Sequence, residues 1–255
     1  MQLWIRSYIA GLRSKRAANL MNLRYISFGP SMDRTPDAVR YDFELHTRYI
    51  SNFLSRRIRE KKFQTDGSFD QIHVGLIEDD PRPPRILPLS ALVPEIAYSH
   101  SDYERVRGKN DCHYYLSLLK AGFREASSSK AIPLDTLLEL CSEFESGGCK
   151  NEWTHKRKRL PGLGVEVTLN CFFTTNYFRL TATIYDSKTK GMLCEGLLLE
   201  TEPDEVLFQS LFKDIRVQDD NVIVTDGGDS PMFVINVMEA RRGIFNAARL
   251  QDDTR

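Results

Sequence analysis

The chain has 255 residues, 41% hydrophobic and 27% charged, with 35 basic and 35 acidic side chains and a formal net charge of zero. That length can bury a substantial core, and the composition is ordinary for a globular protein. A neutral body offers no broad basic surface for phosphate backbones, which argues against nucleic acid as a partner, and no apolar run approaches the ~18 residues that a membrane helix needs.

The charge is unevenly spread. Residues 1–32 hold Arg6, Arg13, Lys15, Arg16 and Arg24 and no acid, so the remainder carries 30 basic against 35 acidic residues. Residues 1–20 therefore read as a basic N-terminal extension. It could be an organelle transit peptide, a membrane-surface helix, or a leader outside a fold that starts at Met21. The five cysteines, Cys112, Cys141, Cys149, Cys171 and Cys194, are odd in number and form no Cys-x-x-Cys pair. No disulfide framework or zinc spacing is expected, and a reducing cytoplasm is the simplest setting.

Asn22–Phe28 reads as a strand. Thr35 is placed to cap a helix with Pro36 at its first position. Val39, Phe43, Tyr49 or Ile50, Phe53, Leu54 and Ile58 then recur at helical spacing. Its basic end, Arg56, Arg57, Arg59, Lys61 and Lys62, complements the helix dipole; it could grip phosphate, but a solvated terminus is the first reading. Ser68–Glu78 follows as a strand in which His73 points opposite Ile72 and Val74, toward polar neighbours. The prolines of segment 79–85 make it a surface loop.

Ile96–Tyr103 suggests a short strand. Asn110 or Asp111 could cap a helix running to Phe123, and Pro133–Glu145 gives another, with Ser127–Ser129 as the linker and Gly147–Gly148 as the stop. The region from Trp153 to Met238 is strand-rich. Val165, Val167, Leu169, Cys171 and Phe173 alternate with polar residues, as do Phe178, Leu180, Ala182 and Ile184, and period two marks strands with one buried face. Thr174–Asn176 and Asp219–Asn221 are hairpin turns. Thr201 to Asp204 reads as a helix start. Met232–Val237 fits a central strand covered on both faces, and residues 248–255 form a polar tail.

The fold class expected is α+β, an antiparallel or mixed sheet with helices packed on it, helix-rich in the N-terminal half and strand-rich in the C-terminal half. Residues 21–247 are expected to form one domain, with a sub-boundary conceivable near 146–152.

Chemical motifs are few. Gly162-Leu163-Gly164 precedes a strand rather than opening a helix, so it is no phosphate cradle. No pair of the five histidines has metal-ligand spacing, and neither cofactor nor metal is expected. Lys156–Arg159 is a dense basic run. Opposite in sign, Glu195 to Asp229 holds ten acids against Lys213 and Arg216. Turn and capping chemistry explains such acids, as does internal pairing with the basic run; a rim for a basic partner is the functional reading. The first expectation is accordingly a non-catalytic cytoplasmic protein-binding protein, an inhibitor or toxin-neutralising immunity protein. Its partner surface would comprise Asp204, Glu205, Asp219, Asp220, Asp226 and Asp229, with Tyr177 and Tyr185 as aromatic anchors. The alternative is a hydrolase assembled from His100, Asp102 and Cys112, or from the acids near Asp226.

Overall fold

The computed structural model describes residues 20–31, 33–109 and 112–250. Residues 1–19 of the basic leader, the expected caps Asn110 and Asp111, and tail residues 251–255 lie outside them. Six helices and thirteen strands in three sheets make up the described residues, an α+β fold, and none of those helices is long and apolar enough to cross a membrane.

The first sheet grows from a βαβ unit. Strand β1 (Tyr25–Pro30) pairs in parallel with β2 (Gln71–Ile77), and helix α1 (Asp37–Lys61) joins them. Phe43, Ile50, Leu54 and Ile58 form the buried stripe of α1, at the spacing expected. Its start differs: Pro36 rather than Thr35 holds the capping position, with no side-chain cap bond, and its carbonyl accepts from Val39 and Arg40. Strands β3 (Arg85–Leu87), β4 (Ala91–Val93) and β5 (Glu95–Ala97) complete the sheet, β4 and β5 both lying parallel to β2. They are one line of chain interrupted at Pro94, which lacks the donor a ladder needs.

The proline loop is pinned rather than free. Glu95, with a nearly inaccessible side chain, accepts from Arg82 and from Arg85 at 2.7 Å, while Arg82 also reaches Asp33 at 2.8 Å. Burial pushes the Glu95 carboxyl up, but the guanidinium of Arg82, joined by its backbone N–H and by Arg85, wins and holds the carboxyl at about 2.

The expected strand 96–103 is cut short. Ser99 accepts from the Asp102 backbone N–H and starts α2 (His100–Val106) instead. The Ser127–Ser129 linker is likewise helix: α3 runs His113–Ser129, and each serine hydroxyl donates to the carbonyl three residues back, so these residues cover their own turn rather than leave it. After α4 (Leu134–Ser146), Gly148 and Cys149 both take left-handed φ, and Cys149 forms a disulfide with Cys112 at the head of α3. This corrects the expectation of no disulfide; the two cysteines lie 37 residues apart, with no motif to mark them.

The expected region of strands divides into two antiparallel meanders. One is β6 (Asn151–Leu160), β7 (Val165–Phe173), β8 (Phe178–Asp186) and β9 (Met192–Thr201). The alternating residues of β7 and β8 are buried as expected. The other is β10 (Asp214–Gln218), β11 (Asn221–Thr225), β12 (Pro231–Asn236) and β13 (Ala247–Arg249). Strand β12 is interior to its sheet, but it fully buries only Phe233 and Ile235 and covers Met232, Val234 and Asn236 in part. The expected tail begins later than it seemed, since Ala247–Arg249 pairs with β12. Helix α5 (Glu205–Phe208) is capped by Asp204, not Thr201, through the Val206 N–H, and α6 (Val237–Ala240) follows β12. Phe178 stacks on Phe208 at 3.6 Å and on Phe212 at 5.7 Å, fixing α5 and the chain after it against the first meander.

Two tests follow from this packing. A Cβ on Gly122 of α3 would collide with both γ-methyls of Val74 on β2. Valine is stiff at χ1, so Gly122→Ala should cost stability despite a helix-propensity gain of about 1 kcal/mol. A net loss of about 1–2 kcal/mol in urea unfolding is expected. The folded-state carboxyl of Glu95 is depressed from 4.5 to about 2, so its contribution is complete above pH 4.5 and disappears as pH falls toward 2. Unfolding midpoints should fall more steeply over that window for the native chain than for Glu95→Gln.

Candidate functional site

A cleft of about 580 Å³ opens between the first sheet, α1, β6 and α5. That volume lies within the range of small-ligand sites. Alternation on β1 and β2 builds its floor: Ile26, Phe28, Ile72 and Val74 turn into the core, which leaves Tyr25, Ser27, Gln71 and His73 on the opposite face. Ser27 and His73 are register partners, Ser27 Oγ lying 2.9 Å from His73 Nδ1. Burial pushes the His73 imidazole down, toward its neutral form.

The wall is a polar stripe of α1 beside its buried one. Ser55 plugs the β1 edge, its hydroxyl accepting from Ile26 N–H at 2.9 Å and donating to Ile26 O at 3.1 Å. Arg48 is fully engaged, with Glu44 at 3.0 Å and with Asp204. Arg56, two turns further on, is not. Its Nε donates to Asn52 Oδ1 at 3.2 Å and its Nη2 to Asn151 Oδ1 at 2.6 Å, and its guanidinium lies 4.3 Å from the Trp153 ring centroid. No carboxylate pairs with it among the described residues. Burial lowers its pKa, yet a guanidinium stays protonated in proteins. Arg59, one turn on, reaches the ring of Tyr25 at 5.7 Å and also has no carboxylate partner among the described residues.

Across the cleft, Glu205 accepts from Asn52 Nδ2, and burial pushes its carboxyl up. Asn52 thus stands between an uncompensated cation and a half-buried acid. Asn151 fixes it in turn, donating to Asn52 Oδ1 at 3.0 Å and to the Tyr49 carbonyl at 2.8 Å. A bulge in β6 at His155 turns that ring onto the edge of Phe212, 4.8 Å between centroids, and burial lowers its pKa. Phe208 and Phe212 close the apolar end.

The acids expected to form one rim take different places. Asp204 is buried, accepting from Arg48 and from Tyr41 at 3.2 Å, and Glu205 lines the cleft. Asp219 and Asp220 are exposed at the β10–β11 turn, both with positive φ. Asp226 accepts from the N–H groups of Gly228 and Ser230 at 2.8 and 2.7 Å, closing its own loop. Asp229 pairs with Arg216 at 2.8 Å and lies 3.6 Å from Lys213. Tyr177 is half-buried beneath Arg179, and Tyr185 borders a small polar cavity beside Glu166. The basic run is internally paired: Lys156 and Lys158 with Asp214, Arg157 and Arg159 with Glu166.

The alternative catalytic set does not converge. His100 and Asp102 sit on α2 with local partners Glu104 and Arg105, and Cys112 is in the disulfide. The free thiols are buried, with Cys141 pushed up to about 12 and Cys171 also raised by burial. Among the described residues no group of three or more His, Cys, Asp or Glu could hold a metal ion. No family model, curated protein or solved structure matches the chain.

The two kinds of acid are separable by stability. Asp204→Ala removes both the α5 cap and the Arg48 partner, and should cost about 2 kcal/mol. Asp219→Asn with Asp220→Asn keeps residues that tolerate positive φ at an exposed turn, so unfolding should shift by less than about 0.5 kcal/mol.

Proposed function

We propose that this chain is a non-catalytic binding protein whose recognition site is the cleft between β1, α1, β6 and α5, and that its ligand presents an anion to Arg56 and Arg59. The observation that carries this reading is the Arg56 guanidinium. It is half-buried, stacked on Trp153 and bonded only to neutral amides, while every buried carboxylate that could have neutralised it is engaged elsewhere or lies beyond Asn52. Buried charges are normally paired, and a cation left open toward a cleft is completed by a bound anion.

Binding rather than turnover is favoured by the floor. Among the described residues His73 hydrogen-bonds Ser27, and no carboxylate bonds the ring to orient it as a base. The cleft is also a better recognition site than the acidic edge, where Asp204, Asp226 and Asp229 answer to groups of this chain. An inhibitor or immunity protein would be one use of such a cleft, its partner then offering an acidic side chain rather than a basic one. The Cys112–Cys149 disulfide favours an oxidising compartment over the cytoplasmic setting expected from the sequence.

The test is calorimetric titration with acetate, inorganic phosphate and 3-phenylpropionate. At least one should bind, and Arg56→Met, which keeps an apolar stem on Trp153, should weaken it about tenfold, the scale of one charge-assisted contact. Circular dichroism would show that the variant is folded. The reading is overturned if no anion binds, or if Arg56→Met binds as the native chain does.

A further inference from the structure

The cleft is electrically bipolar, and this points to a narrower ligand class. Arg56 and Glu205 carry opposite charges when ionised, face the same space, and do not pair with each other; the amide of Asn52 stands between them, Oδ1 on Arg56 and Nδ2 on Glu205. Two hydrogen bonds across one amide place the guanidinium and carboxyl on the order of 7 Å apart. Arg59 adds a second cation, unpaired among the described residues, on the Arg56 side, whereas Arg48 is held by Glu44 and Asp204. An anion alone would satisfy Arg56 but set a second negative charge near Glu205, and a cation alone would do the reverse.

One small unit satisfies both. In an α-amino acid the ammonium nitrogen and carboxylate oxygens lie about 3 Å apart, and with a hydrogen bond of about 3 Å at each end the unit reaches up to about 9 Å, enough to bridge that separation with bent contacts. Resting on the reading of the cleft as a binding site for an anion, we infer that its ligand is a free zwitterionic α-amino acid, with the carboxylate on Arg56 and Arg59 and the ammonium on Glu205. Trp153, Phe208 and Phe212 form the apolar side of the same cavity, so an aromatic or large apolar side chain is the match. Arg56 keeps Nη1 for the ligand, since only its Nε and Nη2 hydrogen-bond among the described residues.

Three probes with one ring separate the charges: L-phenylalanine, 3-phenylpropionate, which lacks the ammonium, and phenethylamine, which lacks the carboxylate. Titrated calorimetrically into the full chain, L-phenylalanine should bind about tenfold or more tighter than either, each missing group removing one charge-assisted contact. Glu205→Gln keeps an acceptor for Asn52; it should erase the advantage of L-phenylalanine over 3-phenylpropionate, because L-phenylalanine loses its ammonium partner while 3-phenylpropionate, relieved of a like charge, binds no more weakly than to the native chain. Burial raises the Glu205 carboxyl, and the ligand ammonium opposes that, so uptake of L-phenylalanine should release protons where Glu205 titrates and uptake of 3-phenylpropionate should not. If 3-phenylpropionate binds as tightly as L-phenylalanine, or Glu205→Gln leaves their ratio intact, the amino-acid inference is wrong and the anion cleft stands. If no probe binds up to about 10 mM, the weak end of measurable affinity, the amino-acid inference falls, and the anion cleft falls with it when acetate and inorganic phosphate do not bind either.

Discussion

Asn151, the first residue of β6, commits its whole side-chain amide to helix α1. Nδ2 donates to the Tyr49 carbonyl and to Asn52, and Oδ1 accepts from Arg56. This is where the first meander is tied to the βαβ unit by polar contacts, and it is buried. Neutral amides do the tying, so the junction carries a cation without a counter-ion. Hydrogen bonds to a charged group contribute about 1.5–3 kcal/mol each, and a guanidinium over a ring about 0.5–2. Those terms offset a desolvation cost of several kcal/mol without cancelling the charge. The fold therefore tolerates Arg56 but does not neutralise it.

The disulfide belongs to the same region. Cys149 lies two residues before Asn151 and holds a left-handed backbone that a cysteine adopts at some cost. Its bond to Cys112 anchors the turn from which β6 departs. The positions of Asn151 and Trp153 thus follow from a covalent tie on one side and the α1 contacts on the other. Thr175 adds a further contact from the β7–β8 turn, donating to the His46 carbonyl at 3.0 Å.

How much of this was legible in the sequence depended on whether the controlling interaction was local. The alternation of Val165–Phe173 and Phe178–Ile184 reports a buried sheet face directly, and the paired aspartates at 219–220 announce a tight turn because they tolerate positive φ. The opposite orientation of His73 was readable from Ile72 and Val74 for the same reason. Ser127–Ser129 misled because serine's capacity to leave a helix is also a capacity to bond the carbonyl behind it. The site was hidden for a different reason. Arg56 lies in a basic helix end that solvation explains well, and nothing local shows that Trp153, 97 residues later, will cover it. Glu205 was singled out as part of an acidic band, but its neighbours in sequence are not its neighbours in the cleft.

The charge pattern carries the same lesson at larger scale. The basic run 156–159 and the acidic band 195–229 stand out only while the chain is linear; folded, Lys156 and Lys158 meet Asp214, and Arg157 and Arg159 meet Glu166 from within β7. Clusters visible in the sequence were therefore largely cancelled by folding. What identifies a site is the residue of that cancellation, a charge that the fold buries and leaves without an answer. By that criterion the isolated arginine on α1 and the isolated glutamate on α5 outweigh the denser runs. A helix of only four residues is justified in this position because it brings Glu205 to one end of the cleft while Phe208, stacked on Phe178, keeps it there.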